Sequence, residues 1–254
     1  MPGRGDCAEG TPLAACLAGK MLLMANDGPV FLITGASSGI GAATARRAAE
    51  AGYRLVLAAR SEDKLQGLAR ELGGDDRAIA VCCDVTEWGD QDSLVRWALD
   101  AFGRIDVVFA NAGYGGPRGF ERHEPDEMRA MVLTNVLGVA YTIRATMPHL
   151  RESRGHLLLT SSVAGRRALP GSLYSATKFA VTAMGESARQ DFNDTGVRVT
   201  LIEPGQVETP FFEQPGEIER LRADDVAATV MYAVTQPARV DVNEILVRPT
   251  AQRG

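Results

Sequence analysis

The stretch from Val30 to Gly41, Val-Phe-Leu-Ile-Thr-Gly-Ala-Ser-Ser-Gly-Ile-Gly, constrains the fold of this chain more than any other. An apolar run of strand length enters a glycine-rich turn, and Ala42 to Ala51 follows as a strong helix former. Glycines let the backbone turn sharply and let a pyrophosphate approach it closely. The helix then aims its free N–H groups and the positive end of its dipole at the phosphates. Gly35, Ser37, Ser38, Gly39, Ile40 and Gly41 are therefore candidate nucleotide-binding residues. Their spacing is G-x-x-x-G-x-G, which differs from the G-x-G-x-x-G dinucleotide fingerprint. A second chemistry fits the same loop. Gly35-Ala36-Ser37-Ser38-Gly39 matches G-x-S-x-G, which presents a nucleophilic serine on a strand-to-helix turn.

The rest of the chain repeats the strand-then-helix pattern. Strands are predicted at Arg54–Ala59, Ala78–Cys82, Asp106–Ala110, His156–Ser161, Val197–Ile202 and Glu244–Val247. Helices are predicted from Ser61, as a cap, to Gly73-Gly74, and over Trp88–Phe102, Pro125–Leu150, Ser172–Asn193 and Ala223–Val234. Strict alternation implies an α/β fold: one doubly wound, seven-stranded parallel sheet with helices on both faces. Its strands are near-continuous apolar runs, as buried parallel strands require. The ligand crevice then lies at the carboxyl ends of the strands.

Composition narrows the possibilities. The chain has 254 residues, 45% hydrophobic and 23% charged, with a net charge of −5. That suits one large domain and argues against a nucleic-acid or anionic-membrane partner. Cys82 and Cys83 are expected to be buried thiols, and with Cys7 and Cys16 they show neither zinc spacing nor a disulfide framework. The default compartment is the cytoplasm. No apolar run has the length of a membrane span. Leu13-Ala14-Ala15-Cys16 looks like a lipoprotein cleavage box, but Asp6 and Glu9 stand where an apolar signal core would be needed. Residues 1–28 are expected to be a disordered extension and 29–254 the domain. Trp88 and Trp97 are expected to pack their helix.

Polar residues cluster at the predicted strand ends. After the second strand, where a carboxylate would hold the ribose 2′-hydroxyl, stand Ala58, Ala59 and Arg60. A guanidinium there suits a 2′-phosphate and so favours NADP(H). Asp84 and Val85 follow the third strand, and Asn111, Ala112 and Gly113 follow the fourth. Tyr174-Ser175-Ala176-Thr177-Lys178 places Tyr174 and Lys178 on one helical face. Lys178 is one of only three lysines, beside Lys20 and Lys64. An ammonium there would favour the phenolate. Asn135 lies mid-helix among small and apolar neighbours, a poor place for an unsatisfied amide.

Taken together, from about residue 29 onward, these segments resemble the short-chain dehydrogenase/reductase family. The resembling segments are Thr34-Gly35…Gly39-Ile40-Gly41, Asn111-Ala112-Gly113, Asn135, Ser162, Tyr174…Lys178 and Pro204-Gly205, with Val207 and Thr209 in cofactor-contacting places. Ala110 stands where the family usually has another asparagine, and the serine-to-tyrosine loop is about one residue short, which keeps Ser161 as a fallback for Ser162. The resemblance implies hydride transfer with Tyr174 as general acid/base and Lys178 lowering its pKa and binding the nicotinamide ribose. It also implies Ser162 bonding the substrate oxygen and Asn135 holding a proton-relaying water. A homotetramer or homodimer pairing the long helices is implied too. The C-terminal run Asn243–Thr250 resembles small hydroxy-acid dehydrogenases and clavulanic-aldehyde-type reductases. With the short segment Gln206–Arg222, which would set Phe211 and Phe212 over the nicotinamide, it points to a small polar aldehyde, ketone or hydroxy acid. Two alternatives stand beside this. One is a catalytically weak NADP-sensing module. The other is an α/β-hydrolase, disfavoured because none of His123, His149 and His156 follows the last strands and no H-G-G-G segment occurs.

Overall fold

A computed structural model of the chain describes residues 28–208 and 218–252. The expected extension over residues 1–28 thus lies almost wholly outside the described residues. So do Cys7, Cys16, Thr209, Phe211 and Phe212.

Among the described residues nine strands form: β1 (Val30–Thr34), β2 (Arg54–Ala59), β3 (Ala78–Cys82), β4 (Val107–Ala110), β5 (His156–Thr160), β6 (Arg198–Pro204), β7 (Val207–Glu208), β8 (Leu221–Arg222) and β9 (Glu244–Val247). The helices are α1 (Gly39–Glu50), α2 (Glu62–Glu71), α3 (Trp88–Phe102), α4 (Pro125–Val132), α5 (Val139–Ser153), α6 (Leu173–Asp191) and α7 (Ala223–Val234). The main sheet is parallel and seven-stranded, in the order β3-β2-β1-β4-β5-β6-β9. The expected doubly wound sheet is thus borne out. The order reverses at β1, which pairs with β2 (Phe31 opposite Leu55) and with β4 (Phe31 opposite Val107). A cleft opens there at the strand ends, as the rule for such sheets requires.

Alternation along each strand divides the core in two. Val30 and Leu32 of β1 face one apolar layer with Leu94, Ala98, Val139, Leu150 and Val181 of α3, α5 and α6. Phe31 and Ile33 face the other, with Ala45, Ala48, Leu65, Val226 and Val230 of α1, α2 and α7. Each β1 residue is therefore fully enclosed. That explains why its sequence is an apolar run rather than an alternation.

Several local expectations need correction. Cys82 is exposed and only Cys83 is buried, because successive residues leaving a strand face opposite sides. Trp97 is 59% exposed and does not pack its helix. Trp88 is half-exposed, its ring edge-on to Tyr141 and under the Arg144 guanidinium. Ser61 occupies the N-cap of α2, but its side chain makes no capping bond. The helix predicted over Pro125–Leu150 contains a π-helical turn, Leu133–Gly138, between α4 and α5. That whole run, Pro125–Ser153, is long and apolar enough to cross a membrane by length and composition, contrary to the sequence reading. One side of it, with Met131, Gly138, Val139, Thr142, Thr146 and Leu150, is buried against the rest of the domain. The β7–β8 pair was not foreseen.

Candidate active site

The cleft has a volume of about 1700 Å³. Its first wall is the β1–α1 turn. Gly35 has φ +67°, and a Cβ there would come 2.9 Å from the Ala112 Cα. A Cβ on Gly41 would overlap the Gly35 carbonyl oxygen and press on the Asn111 amide. Gly41 does not itself line the cleft; it lets the turn close behind those residues that do, Gly35, Ser37, Ser38, Gly39 and Ile40. Ser38 caps α1 in extended conformation without a side-chain bond to the helix, and the first turn carries no acid. The open N–H groups and uncompensated dipole fit a pyrophosphate.

Asn111 ties three strand ends together. Its side-chain amide donates to the carbonyls of Thr34 (3.1 Å) and Gly35 (3.4 Å), and its oxygen accepts from Thr160 Oγ1 (3.1 Å). Thr34 Oγ1 accepts from the N–H groups of Asn111 and Ala112. Asn111 therefore shapes the floor, while Ala112 and Gly113 continue along the wall. Ala59, Arg60 and Ser61 line the far end past β2, with Asp84 and Val85 beside them past β3. The Asp84 carboxylate accepts from the Thr86 N–H and hydroxyl.

The opposite wall comes from β5, β6 and α6. Ser162 Oγ accepts from the Ala164 N–H (3.1 Å), donates to the Pro204 carbonyl (3.3 Å) and hydrogen-bonds the Tyr174 hydroxyl. Ser161 is fully buried; its hydroxyl donates to the Lys178 carbonyl and pairs with Thr182. Of the two serines, Ser162 is the one that meets the tyrosine. Tyr174 is pushed up to about 12 by burial, with Ser162 pulling the other way. Its phenol is thus protonated at neutral pH. The buried Lys178 donates to the Thr160 carbonyl (2.7 Å) and lies 5.6 Å from the Tyr174 ring centroid. Burial lowers its ammonium to about 8. The expected lowering of the tyrosine by this lysine does not dominate: the ammonium sits over the ring, and desolvation sets the sign.

Asn135 is fully buried in the π turn. Its oxygen accepts from the Tyr114 N–H (3.0 Å), and its amide donates to the Tyr114 carbonyl (2.7 Å) and to Thr177 Oγ1 (3.1 Å). The satisfied amide joins the post-β4 loop to α6 just ahead of Lys178. It lies behind the lining rather than in it. Pro204, Gly205 and Val207 line the cleft after β6. Gly205 donates to the Val247 carbonyl, and the Gln206 N–H donates to Gln252 Oε1, so the end of the described chain folds back onto this wall.

Sequence reasoning missed one side-chain cluster here. Arg166, just after the turn that Ser162 caps, pairs with Glu203 (2.7 Å) and with Glu244. Glu203 is 1% exposed, and burial raises its carboxyl while Arg166 opposes that. The bridge clamps the serine turn to β6 and β9. No spacing rule finds it, since its three members lie on separate elements. The three histidines stay off the cleft, so Ser37 has no imidazole beside it and the hydrolase reading lacks its base.

Comparison with known proteins gives a consistent result. The family model described as short chain dehydrogenase matches residues 29–219. An uncharacterized oxidoreductase of Staphylococcus aureus strain MRSA252 is 39% identical over 224 residues, 87% of this chain and 96% of its own. Among solved structures, an alcohol dehydrogenase from Thermococcus sibiricus complexed with 5-hydroxy-NADP is 33% identical, with TM-score 0.83, covering 89% of this chain and 98% of that one. A 3-ketoacyl-(acyl-carrier-protein) reductase from Brucella melitensis complexed with NADH is 31% identical, with TM-score 0.80, covering 87% and 97%.

Proposed function

The chain belongs to the short-chain dehydrogenase/reductase family of oxidoreductases, and from that premise we propose that it is an NADP(H)-dependent enzyme interconverting a carbonyl and an alcohol, with Tyr174 as general acid/base. The observation that carries the reading is the convergence of Ser162 and Lys178 on the Tyr174 phenol in one wall of the cleft, opposite an open helix N-terminus.

The residues fit a dinucleotide. Ser37 to Ile40 would take the pyrophosphate on backbone N–H groups. Arg60, with no carboxylate at Ala58 or Ala59, supports a 2′-phosphate. Asp84, Val85, Ala112 and Gly113 suit the adenine side, and Pro204, Gly205 and Val207 the nicotinamide side; Thr209 keeps the role that its place in the motif implies. The bound nicotinamide would supply or accept the hydride. Tyr174, protonated at neutral pH, gives its proton to the carbonyl oxygen as that oxygen gains charge, and takes it back in oxidation. Ser162 donates a second hydrogen bond to the same oxygen. Lys178, from below the ring, stabilises the phenolate left behind and holds the ribose. Asn135 fixes the loop and the α6 backbone around them and, by family resemblance, holds the relay water.

The substrate class we favour is a small polar aldehyde, ketone or hydroxy acid, in a cytoplasmic homotetramer or homodimer whose domain spans 29–254. A screen of NADPH oxidation and NADP reduction over small aldehydes, ketones and hydroxy acids tests the reading. Turnover lost in Tyr174→Phe is the expected result. Turnover of no compound, or a tyrosine variant as fast as the parent, rejects it.

A further inference from the structure

The charge inside the cleft is opposite to that of the whole molecule. The chain carries −5 overall, yet the described cleft lining holds seven cationic side chains, Arg60, Arg118, Arg166, Arg167, Lys178, Arg220 and Arg248, against one carboxylate, Asp84. Three of the cations have a use already. Arg60 stands at the 2′-phosphate end, Lys178 lies under the tyrosine, and Arg166 is balanced by Glu203 and Glu244.

Arg118 and Arg167 differ from these. They sit on two loops that meet at the start of α6, the helix bearing Tyr174. The loop of Arg118 is pinned where the Gly119 N–H donates to the Gly171 carbonyl (2.9 Å). The loop of Arg167 is pinned where the Leu169 N–H donates to Ser175 Oγ (3.1 Å). Gly171 and Ser175 bracket Tyr174, so the backbones that carry both arginines are pinned to the segment that bears the phenol. Both side chains are exposed to solvent and line the cleft itself. Like charges held at one mouth raise the potential there, and a low-dielectric wall focuses it. The guanidinium fork matches a carboxylate.

We propose that the substrate carries a carboxylate and that Arg118 and Arg167 hold it beside Tyr174, making the enzyme selective for oxo acids and hydroxy acids over their neutral analogues. The inference rests on the oxidoreductase reading above and narrows it. Because the arginines line the cleft, the anion they meet enters together with the reacting carbonyl.

Dead-end complexes test this apart from turnover. Full-length protein loaded with NADPH is titrated by calorimetry with hydroxy acids of three to six carbons and with their neutral amides. The best acid is expected to bind about tenfold or more tightly than its amide. That preference should collapse in the Arg118→Met/Arg167→Met double variant, whose changes lie on exposed side chains and leave the core intact. Kinetically, 4-oxobutanoate should exceed butanal in kcat/KM by at least about tenfold, less so at high salt. Equal affinity for acid and amide, no binding of any acid, or a preference that survives the double variant overturns the proposal. So does a 3-oxoacyl carrier thioester or a neutral ketone reduced faster than every acid, and that result would leave the oxidoreductase reading standing. Failure of the protein to bind NADPH at all is the separate outcome that removes both.

Discussion

At the β1–β4 end of the cleft the walls are backbone; at the β5–β6 end they are side chains. The first end is shaped by the absence of Cβ atoms at Gly35 and Gly41 and by Asn111 bonding to main-chain groups. The second depends on polar side chains in contact: Ser162 with Tyr174, Lys178 over its ring, and Arg166 between two glutamates. The contrast teaches that one end is defined by shape and the other by charge and proton occupancy, which is the division of labour that the proposed function requires. Added volume should break the first; altered charge or proton occupancy should break the second.

The largest effect expected is at the chemical end. Tyr174→Phe removes the proposed proton donor and should lower kcat by roughly 10²–10⁴, with NADPH affinity changed by far less when followed by fluorescence titration. A similar loss in both would mean that the two ends are not separable. Gly41→Ala should act in the reverse sense. Its Cβ would meet backbone that cannot yield, costing about 1–3 kcal/mol in denaturant unfolding and weakening NADPH. An unaltered midpoint would show that the turn is looser than its contacts imply.

Acid should act away from both ends of the cleft, at the start of β5. His156 Nε2 meets Thr200 Oγ1 at 2.7 Å, and that hydroxyl donates onward to the Val242 carbonyl, so the ring nitrogen is the donor and Nδ1 stays unprotonated and unpartnered. Burial, assisted by Arg198, lowers the imidazole from 6.5 to about 3. The unfolded chain then binds the extra proton between those values, and stability is lost as pH falls from 6.5 toward 3. At pH 5 the loss from this group is about 2 kcal/mol. A His156→Asn variant should unfold with a correspondingly flatter pH dependence between 7.5 and 5; equal slopes would remove His156 as the cause. The smallest effect is at the adenine end, where Arg60→Ala should weaken NADPH by about tenfold, ~1.4 kcal/mol, and NADH by much less. Equal losses would dissociate Arg60 from the 2′-phosphate.

The two halves also differed in how legible they were in the sequence. Shape made of glycines and apolar runs is local, so the β1–α1 turn, the strand order class and several element bounds, Ala223–Val234 among them, could be read directly. Tyr174 and Lys178 were legible because one helical turn joins them. Arg166, Glu203 and Glu244 were not, because each acquires meaning only when three elements converge. Gln252 returning to the Gln206 N–H and the β7–β8 pair are hidden for the same reason. The π turn that holds Asn135 was read as plain helix, since periodicity cannot register one extra residue. Cys82 and Trp97 show the opposite error: apolar character suggested burial, but Cys82 ends β3, the edge strand, and the Trp97 side of α3 faces solvent.

The place of β1 inside the sheet has a consequence for how the protein is made. Its partner on one flank, β2, follows soon after it in the chain, whereas the β4 residues on its other flank come about 75 positions later. At a translation rate of roughly 5–20 residues per second, that flank stays open for about 4–15 seconds on the ribosome. During that interval a strand that is fully enclosed in the finished fold presents unpaired N–H and C=O groups, the kind of edge that recruits other chains. The nascent chain is therefore exposed to aggregation while its β1–α1 turn already exists but has no second wall to close against.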